Sequence, residues 1–338
     1  MPYYNQEFRT GQVPTIYHKI CYYARRMQSK PKIIVVLGAT STGKSDFAVQ
    51  LSKVLAVSGV ESEIISADSR QVYKGMDLGT GKITKKEMRG IPHHMLDVAN
   101  PKKAFTVSAY QKLAEKKIKE IVKRNKIPII CGGTGFYVDA LINGTALPEV
   151  PPNKKLREQL ARKSKGELFK ILTRLDKARA KTIDKDNPVR LIRAIEIAKS
   201  LGRVPSLTSD GTNPKYEVLK IGLALPDEIL KERIYKRILV RIKKGMLKEI
   251  KNLHNPPTGG GLSWKRMEEL GLEYRYISQY LQNKLTKDEA INTLKRETWA
   301  YAKRQKTWFK RDKNTIWINP TALHEQAKAF QKIKEFLK

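Results

Sequence analysis

The sequence predicts an α/β fold: a parallel sheet with helices on both faces, plus an inserted all-helical domain. Three observations carry this. Apolar, β-branched runs at 33–37, 63–66 and 127–131 alternate with helical stretches, the order that strand–helix–strand units impose. A proline-dense stretch, "LPEVPPNKK" at 147–155, breaks the alternation and precedes a helix-patterned segment at 154–201 rich in Lys, Arg, Leu and Ile. Strand-like runs then resume with "VLKIGLAL" at 218–225 and "TIWIN" at 315–319. The chain thus leaves the sheet and returns to it, which divides it into a core at 31–148 and 206–338 and an insertion at 149–205.

Taken in order, residues 1–30 combine tyrosines with basic residues and carry no motif, so they form an extension without an assigned role. The run Ile33 to Val36 leads into "LGATSTGKSD" at 37–46, which fits G-x-x-x-x-G-K-[ST] through Gly38, Gly43, Lys44 and Ser45. Glycines let the chain wrap an anion, successive amides point inward, and the following helix adds positive partial charge at its N-terminus. The sheet is therefore P-loop NTPase-like. Lys44 is expected to contact phosphate and Ser45 a magnesium ion.

After a helix at Asp46 to Val57, the strand "EIIS" ends just before Asp68. An acid past the carboxyl end of a parallel strand lies at the crevice where ligands bind, although a turn or helix N-cap would use the same residue. A helix from Val107 to Arg124 leads to the strand "IPIIC", which runs into Gly132-Gly133-Thr134. A motor or switch NTPase often has a magnesium-organising Asp there. The glycines suit either close approach of a ligand or a tight turn. Gly202 and Pro205 close the insertion, and 227 to about 311 reads as helical apart from a loop at Asn255 to Gly261. The strand at 315–319 is expected to be the terminal strand.

The 67 Lys and Arg against 33 Asp and Glu give a formal charge of +34 over 338 residues, with an isoelectric point near 10.0. Such an excess points to a polyanionic partner, or to lysine enrichment across a whole lineage. Cys21 and Cys131 have no metal-ligand spacing and make no disulfide framework, which fits a reducing cytoplasm. No apolar run reaches the roughly 18 residues needed to span a bilayer, so no membrane partner is expected. Within "KRQKTWFKR", Lys303, Arg304, Thr307 and Arg311 recur three or four apart and form one basic face of a helix.

Six blocks in order resemble the tRNA dimethylallyltransferase (tRNA isopentenyltransferase) family, from about Lys32 onward. They are "GATSTGKS" at 38–45, "SADSRQVYKGMDLGTGK" at 66–82, "IPHHMLDV" at 91–98, "GGTGFYVDALING" at 132–144, "DNPVRLIRAIEI" at 186–197 and "AKRQKTWFKR" at 302–311. The second has Gly81 where the family commonly has Ala. The resemblance implies transfer of a dimethylallyl group from dimethylallyl diphosphate to N6 of the adenosine on the 3′ side of a tRNA anticodon, releasing pyrophosphate. It implies that Gly38, Ala39, Thr40, Ser41, Thr42, Gly43, Lys44 and Ser45 hold a diphosphate rather than a nucleotide to be hydrolysed, with Mg²⁺ on Ser45. Arg237 joins them, and Thr42 either bonds the same oxygens or shapes the turn. Asp68 takes the role of general base.

On the tRNA side the resemblance places Asp68, Ser69, Arg70, Gln71, Thr134 and Arg157. It adds Val189, Arg190, Leu191, Ile192 and Arg193 from the insertion, and Lys303, Arg304, Gln305, Lys306, Thr307, Trp308, Phe309 and Lys310 near the end. The partners implied are a tRNA anticodon stem-loop and dimethylallyl diphosphate, acting on a cytoplasmic monomer. Two departures stand out: Gly271-Leu272-Glu273 replaces a G-Y-[KR] segment, and there is no Cys/His zinc module, which favours the bacterial type. Rival readings are a small-molecule or nucleotide P-loop kinase, an adenylate isopentenyltransferase and a non-catalytic RNA-binding P-loop protein. The insertion and the 302–311 block favour tRNA.

Overall fold

In strand β1 (Lys32–Gly38), Ile33, Ile34, Val35 and Val36 are all fully buried. A continuous apolar run of this kind belongs to a strand covered on both faces. It lies inside a six-stranded, all-parallel sheet ordered β3-β2-β4-β1-β5-β6. The partners are β2 (Ser62–Ser66), β3 (His93–His94), β4 (Ile127–Gly132), β5 (Glu217–Leu223) and β6 (Ile316–Ile318). The computed structural model describes residues 30–144, 148–205, 215–257 and 259–338; the extension at 1–29, with Cys21, lies outside them.

Alternation along β1 divides the core in two. Ile33, Val35 and Leu37 pack with α3 (Val107–Lys123) and α4 (Gly135–Ile142) through Tyr110, Ile118 and Leu141. Ile34 and Val36 face α1 (Lys44–Val57) and α14 (Leu323–Leu337) through Leu51, Leu55 and Ile333. Three of these elements were not foreseen. The strand β3 is only His93–His94, without a β-branched run; it forms because Ile64 N donates to Pro92 O and β2 offers a free edge. Helix α4 is one short turn-pair after a glycine pair, and α14 follows β6, which is the last strand of the described residues, as "TIWIN" was expected to be.

After α1 and β2 comes the single turn α2 (Lys85–Met88). Past α4 the chain forms α5 (Lys154–Ala161), α6 (Lys165–Leu175), α7 (Lys177–Thr182) and α8 (Pro188–Leu201). Their starts are written in polar caps: Asn153, Ser164 with Glu167, Asp176, and Asn187 before Pro188. Each such cap is worth about 1 kcal/mol. The four helices enclose a separate apolar cluster of Leu160, Leu168, Leu172, Leu191 and Ile195.

Beyond β5 lie α9 (Asp227–Lys243), α10 (Met246–His254), α11 (Trp264–Leu270), α12 (Leu272–Leu281) and α13 (Lys287–Phe309). They form a roof whose core, with Ile234, Ile238, Ile250 and Tyr274, also takes in Val72, Tyr73 and Met76. The segment following β2 is therefore clamped between sheet and roof. Among the described residues, no helix is long and apolar enough to cross a membrane.

Candidate active site

The loop between β1 and α1 turns through left-handed conformations at Ser41 (φ 64°) and Gly43 (φ 94°) before the helix begins at Lys44. First-turn amides of a helix have no partners within it, so they are available to an anion. The Ala39 carbonyl accepts from Thr42 Oγ1 at 2.9 Å and from Lys44 Nζ at 2.6 Å. Thr42 is 1% exposed, so its hydroxyl is spent inside the loop and shapes the turn. Of the two roles expected for Thr42, the turn-shaping one is the one that this bond serves. Burial pushes the Lys44 ammonium down to about 8, and Arg237 adds to that effect against the opposing pull of Cys131 and Asp68.

Asp68 stands two residues past β2. Its Oδ1 accepts from the amides of Arg70 (2.8 Å) and Gln71 (3.2 Å), a turn that fixes the carboxylate, while Ser69 N donates to Thr134 Oγ1 at 3.0 Å. Both roles foreseen for Asp68, turn residue and cavity residue, are thus combined in one side chain. Gln71 Nε2 and Arg237 Nη2 both donate to the Gly81 carbonyl, at 3.3 and 2.9 Å. Gly81 has φ +60°, and a Cβ there would meet Arg237 Nη2 at 2.3 Å. The glycine in place of alanine lets the guanidinium approach this closely.

A third contact joins the strand ends. Gln305 on α13 accepts from Thr40 N at 2.8 Å and donates to Gly133 O at 2.7 Å. A Cβ on Gly133 would meet Gln305 Nε2 at 2.5 Å. The close approach at Gly133 is therefore made by Gln305, while a Cβ on Gly132 would meet the Ala67 carbonyl oxygen at 2.2 Å.

These parts surround one cavity of about 490 Å³. Its walls include Thr40, Ser41, Gly43, Lys44 and Ser45 from the loop, Asp68 and Gln71 after β2, Gly132 and Gly133 after β4, and Arg237 from α9. Arg233, Arg241, Lys244, Tyr301 and His93 also line it and were not foreseen. Helical spacing was the available signal: Arg233, Arg237, Arg241 and Lys244 form one stripe along α9 and its end, and Tyr301 lies one turn before Gln305. Arg241 donates to Gly79 O and, at 2.7 Å, to Glu273 Oε1. The residue that departs from the family segment is thus an internal ion-pair partner. Burial pushes the Tyr301 hydroxyl up to about 12, and Asp68 pushes the same way.

The residues expected on the RNA side divide by burial. Lys303, Arg304 and Thr307 are exposed on α13 and Lys310 just past its end, and Arg311 lies over the Trp308 ring at 4.7 Å. Lys306 pairs with Asp227, and Trp308 Nε1 donates to Asp139 Oδ2 at 2.8 Å. Gln305 and Phe309 are buried, at 6% and 4% exposure, and Leu191 is wholly inside the lobe core. The side chains of Leu191 and Phe309 lie in apolar cores, and that of Gln305 lies at the wall of the cavity. Ile192 packs against the same core, Val189 is 75% exposed, and Arg190 pairs with Asp184 at 3.2 Å. Arg157 and Arg193 converge on Glu196, and Arg70 Nε braces the roof by donating to Leu270 O at 2.6 Å.

Comparison with known proteins gives a consistent result. The family model described as IPP transferase matches residues 71–312. A tRNA dimethylallyltransferase 2 of Treponema denticola is 44% identical over 297 residues, covering 87% of this chain and 96% of that protein. A tRNA dimethylallyltransferase of Halothermothrix orenii is 37% identical over 310 residues, covering 90% and 92%. The crystal structure of a full-length tRNA isopentenylpyrophosphate transferase from Bacillus halodurans superposes with a TM-score of 0.66 at 34% identity, over 91% of this chain and 97% of that one. A eukaryotic dimethylallyltransferase acting on tRNA superposes at 0.73 with 25% identity, over 90% and 78%.

Proposed function

Because the chain belongs to the IPP transferase family, we propose that it transfers the dimethylallyl group of dimethylallyl diphosphate to N6 of the adenosine on the 3′ side of a tRNA anticodon, yielding N6-isopentenyladenosine and pyrophosphate. The observation that carries the reading is one cavity joining the loop's Lys44, Arg237 and Asp68. Lys44, Arg237 and the free amides at the start of α1 face the charge that develops on the departing pyrophosphate, a preorganised electrostatic role. An allylic C–O bond ionises readily because the cation is spread over three carbons. Little else is asked of the donor side.

The acceptor amine is a weak nucleophile, its lone pair being conjugated with the purine ring. As the N6–carbon bond forms, the amine must lose a proton, and Asp68 is the carboxylate positioned to take it. The two amides that hold Oδ1 fix its direction. The adenine has to leave its stack to reach a site at the strand ends, which is base flipping with its pocket requirement.

Magnesium fits the donor set. Among the described residues, no cluster of three or more His, Cys, Asp or Glu could hold a metal ion. Mg²⁺ commonly takes one or two protein oxygens together with substrate phosphates, and the cavity offers the Ser45 hydroxyl beside Lys44. Bound there, it would neutralise diphosphate charge. We take the working unit to be a cytoplasmic monomer. The test is mass spectrometry of nucleosides from tRNA incubated with the protein, Mg²⁺ and dimethylallyl diphosphate. N6-isopentenyladenosine is the expected product, and its absence overturns the reading.

A further inference from the structure

Glu196, on α8, is 2% exposed yet ionised in the midst of a strongly basic lobe. Burial alone would raise its pKa; hydrogen bonds from Arg157, the Asn153 amide and Arg193 outweigh that and hold it at about 2. Oε1 accepts from Asn153 N at 2.6 Å and from Arg157 Nε at 2.9 Å. Oε2 accepts from Arg157 Nη2 at 2.7 Å and also from Arg193 Nη1. Arg193 Nη2 continues to Val150 O at 3.0 Å. One carboxylate therefore ties two guanidiniums to each other and to the stretch by which the chain enters the lobe.

The exposures are unequal in an informative way. The Glu196 side chain is 1% exposed, whereas those of Arg157 and Arg193 are 41% and 35%. The acid is the hidden anchor and the cations are the surface. Beside the anchor, the entry stretch Val150 to Asn153 lines a crevice of about 720 Å³ against α5 and α8. With open space there, the ionic contacts have to do what packing does elsewhere. An Arg guanidinium has five donors, so an arginine gripped by two of them still offers others outward.

We propose that Glu196 is a positioning residue for RNA recognition, presenting Arg157 and Arg193 as a preformed guanidinium pair for the phosphate backbone. The proposal rests on the tRNA reading above. Long cationic side chains lose rotamer freedom when they bind. Fixing the pair in advance transfers that loss to folding, so RNA binding does not bear it. Arg is also the residue suited to planar, bidentate contact with phosphate.

The experiment uses the full chain, with tRNA and dimethylallyl diphosphate varied separately. In Glu196→Gln the new amide would set N–H donors against guanidinium donors. KM for tRNA should rise about tenfold or more, the scale of losing charge-assisted hydrogen bonds. kcat at saturating tRNA and KM for dimethylallyl diphosphate should stay unchanged. In an Arg157→Ala, Arg193→Ala background the same change should move tRNA KM less than twofold, because Glu196 then has nothing to position. An unchanged tRNA KM in the single variant, or a full effect in the double-alanine background, overturns the proposal. Should Glu196→Gln fail to fold, Arg157→Lys carries the test: charge stays, the fork is lost, and an unchanged tRNA KM overturns it. Failure of the parent reading looks different, since the unaltered protein would then make no isopentenyladenosine at all.

Discussion

The cradle around the phosphate loop and the helical lobe present their cations by opposite constructions. The cradle is made of backbone and buried side chains, and its parts brace one another: Gln305 spans Thr40 and Gly133, and Gly81 O receives both Gln71 and Arg237. The lobe has its own small apolar cluster and shows half-exposed cations, with one buried acid behind them. A small ligand of fixed shape can be met by a rigid cavity. A long, deformable polyanion is met by side chains on a lesser core, which is also the less stable arrangement.

The sharpest break of that comparison is Asp68→Asn. It should lower prenyl transfer by about 10²-fold to 10⁴-fold, the range for a positioned base, while leaving tRNA and donor affinity intact. Single-turnover rates at saturating substrates decide it; near-normal rates sink the assignment. Next comes Leu191→Ala in the lobe core, where removing a fully buried leucine costs about 2–5 kcal/mol. Protease protection should collapse within 154–201 and tRNA affinity fall, with the donor KM unmoved. Collapse of donor binding as well would show that the two regions are not independent.

Lys44→Ala acts from the other side, weakening donor binding by about 1.5–3 kcal/mol, as for hydrogen bonds to charged groups. Its pH counterpart follows from the depression from 10.5 to about 8. Diphosphate binding needs the ammonium, so donor affinity should fall as pH rises through about 8. Stability moves oppositely: between about 8 and 10.5 the unfolded chain binds more protons, so this lysine's penalty on folding is present below that window and fades across it. Donor KM and urea midpoints measured from pH 7 to 10.5 should diverge in this way, and a flat donor KM would contradict it. The smallest effect is expected from Lys303→Ala with Arg304→Ala. For every phosphate that these side chains neutralise, the substitution should lower the log–log salt slope of tRNA binding by roughly 0.7–0.9, without changing donor affinity. An unaltered slope would remove this face of α13 from the RNA-binding surface.

The sheet was legible wherever residue type alone fixes the answer. The β-branched run Ile33 to Val36, short and followed by glycine, reads as a doubly covered strand, and Gly43-Lys44-Ser45 follows from backbone geometry and charge. Where tertiary partners decide, the sequence was silent. The Thr42 hydroxyl could turn inward or outward, and packing turned it inward. Leu191 and Phe309 lie within contiguous blocks expected on the RNA side, yet helical periodicity rotates them into cores, a signal their apolar character already carried. His93–His94 pairs as a strand through backbone groups that no propensity announces. Gln305 looked like one more polar member of a basic block.

That glutamine has a thermodynamic consequence. Its inner side holds the phosphate loop through Thr40 N, while Lys303, Arg304 and Thr307 stand on the outer side of the same helix. A shift of α13 under bound RNA would stretch the bonds to Thr40 and Gly133 together and so change the free energy of diphosphate binding. Linkage makes any such effect reciprocal: whatever factor RNA exerts on donor affinity, the donor must exert on RNA affinity. The amide serves both loops because it offers an acceptor to one and a donor to the other. A carboxylate of the same length would lose the donor to Gly133 O, and any coupling carried through that bond, while leaving every cation in place.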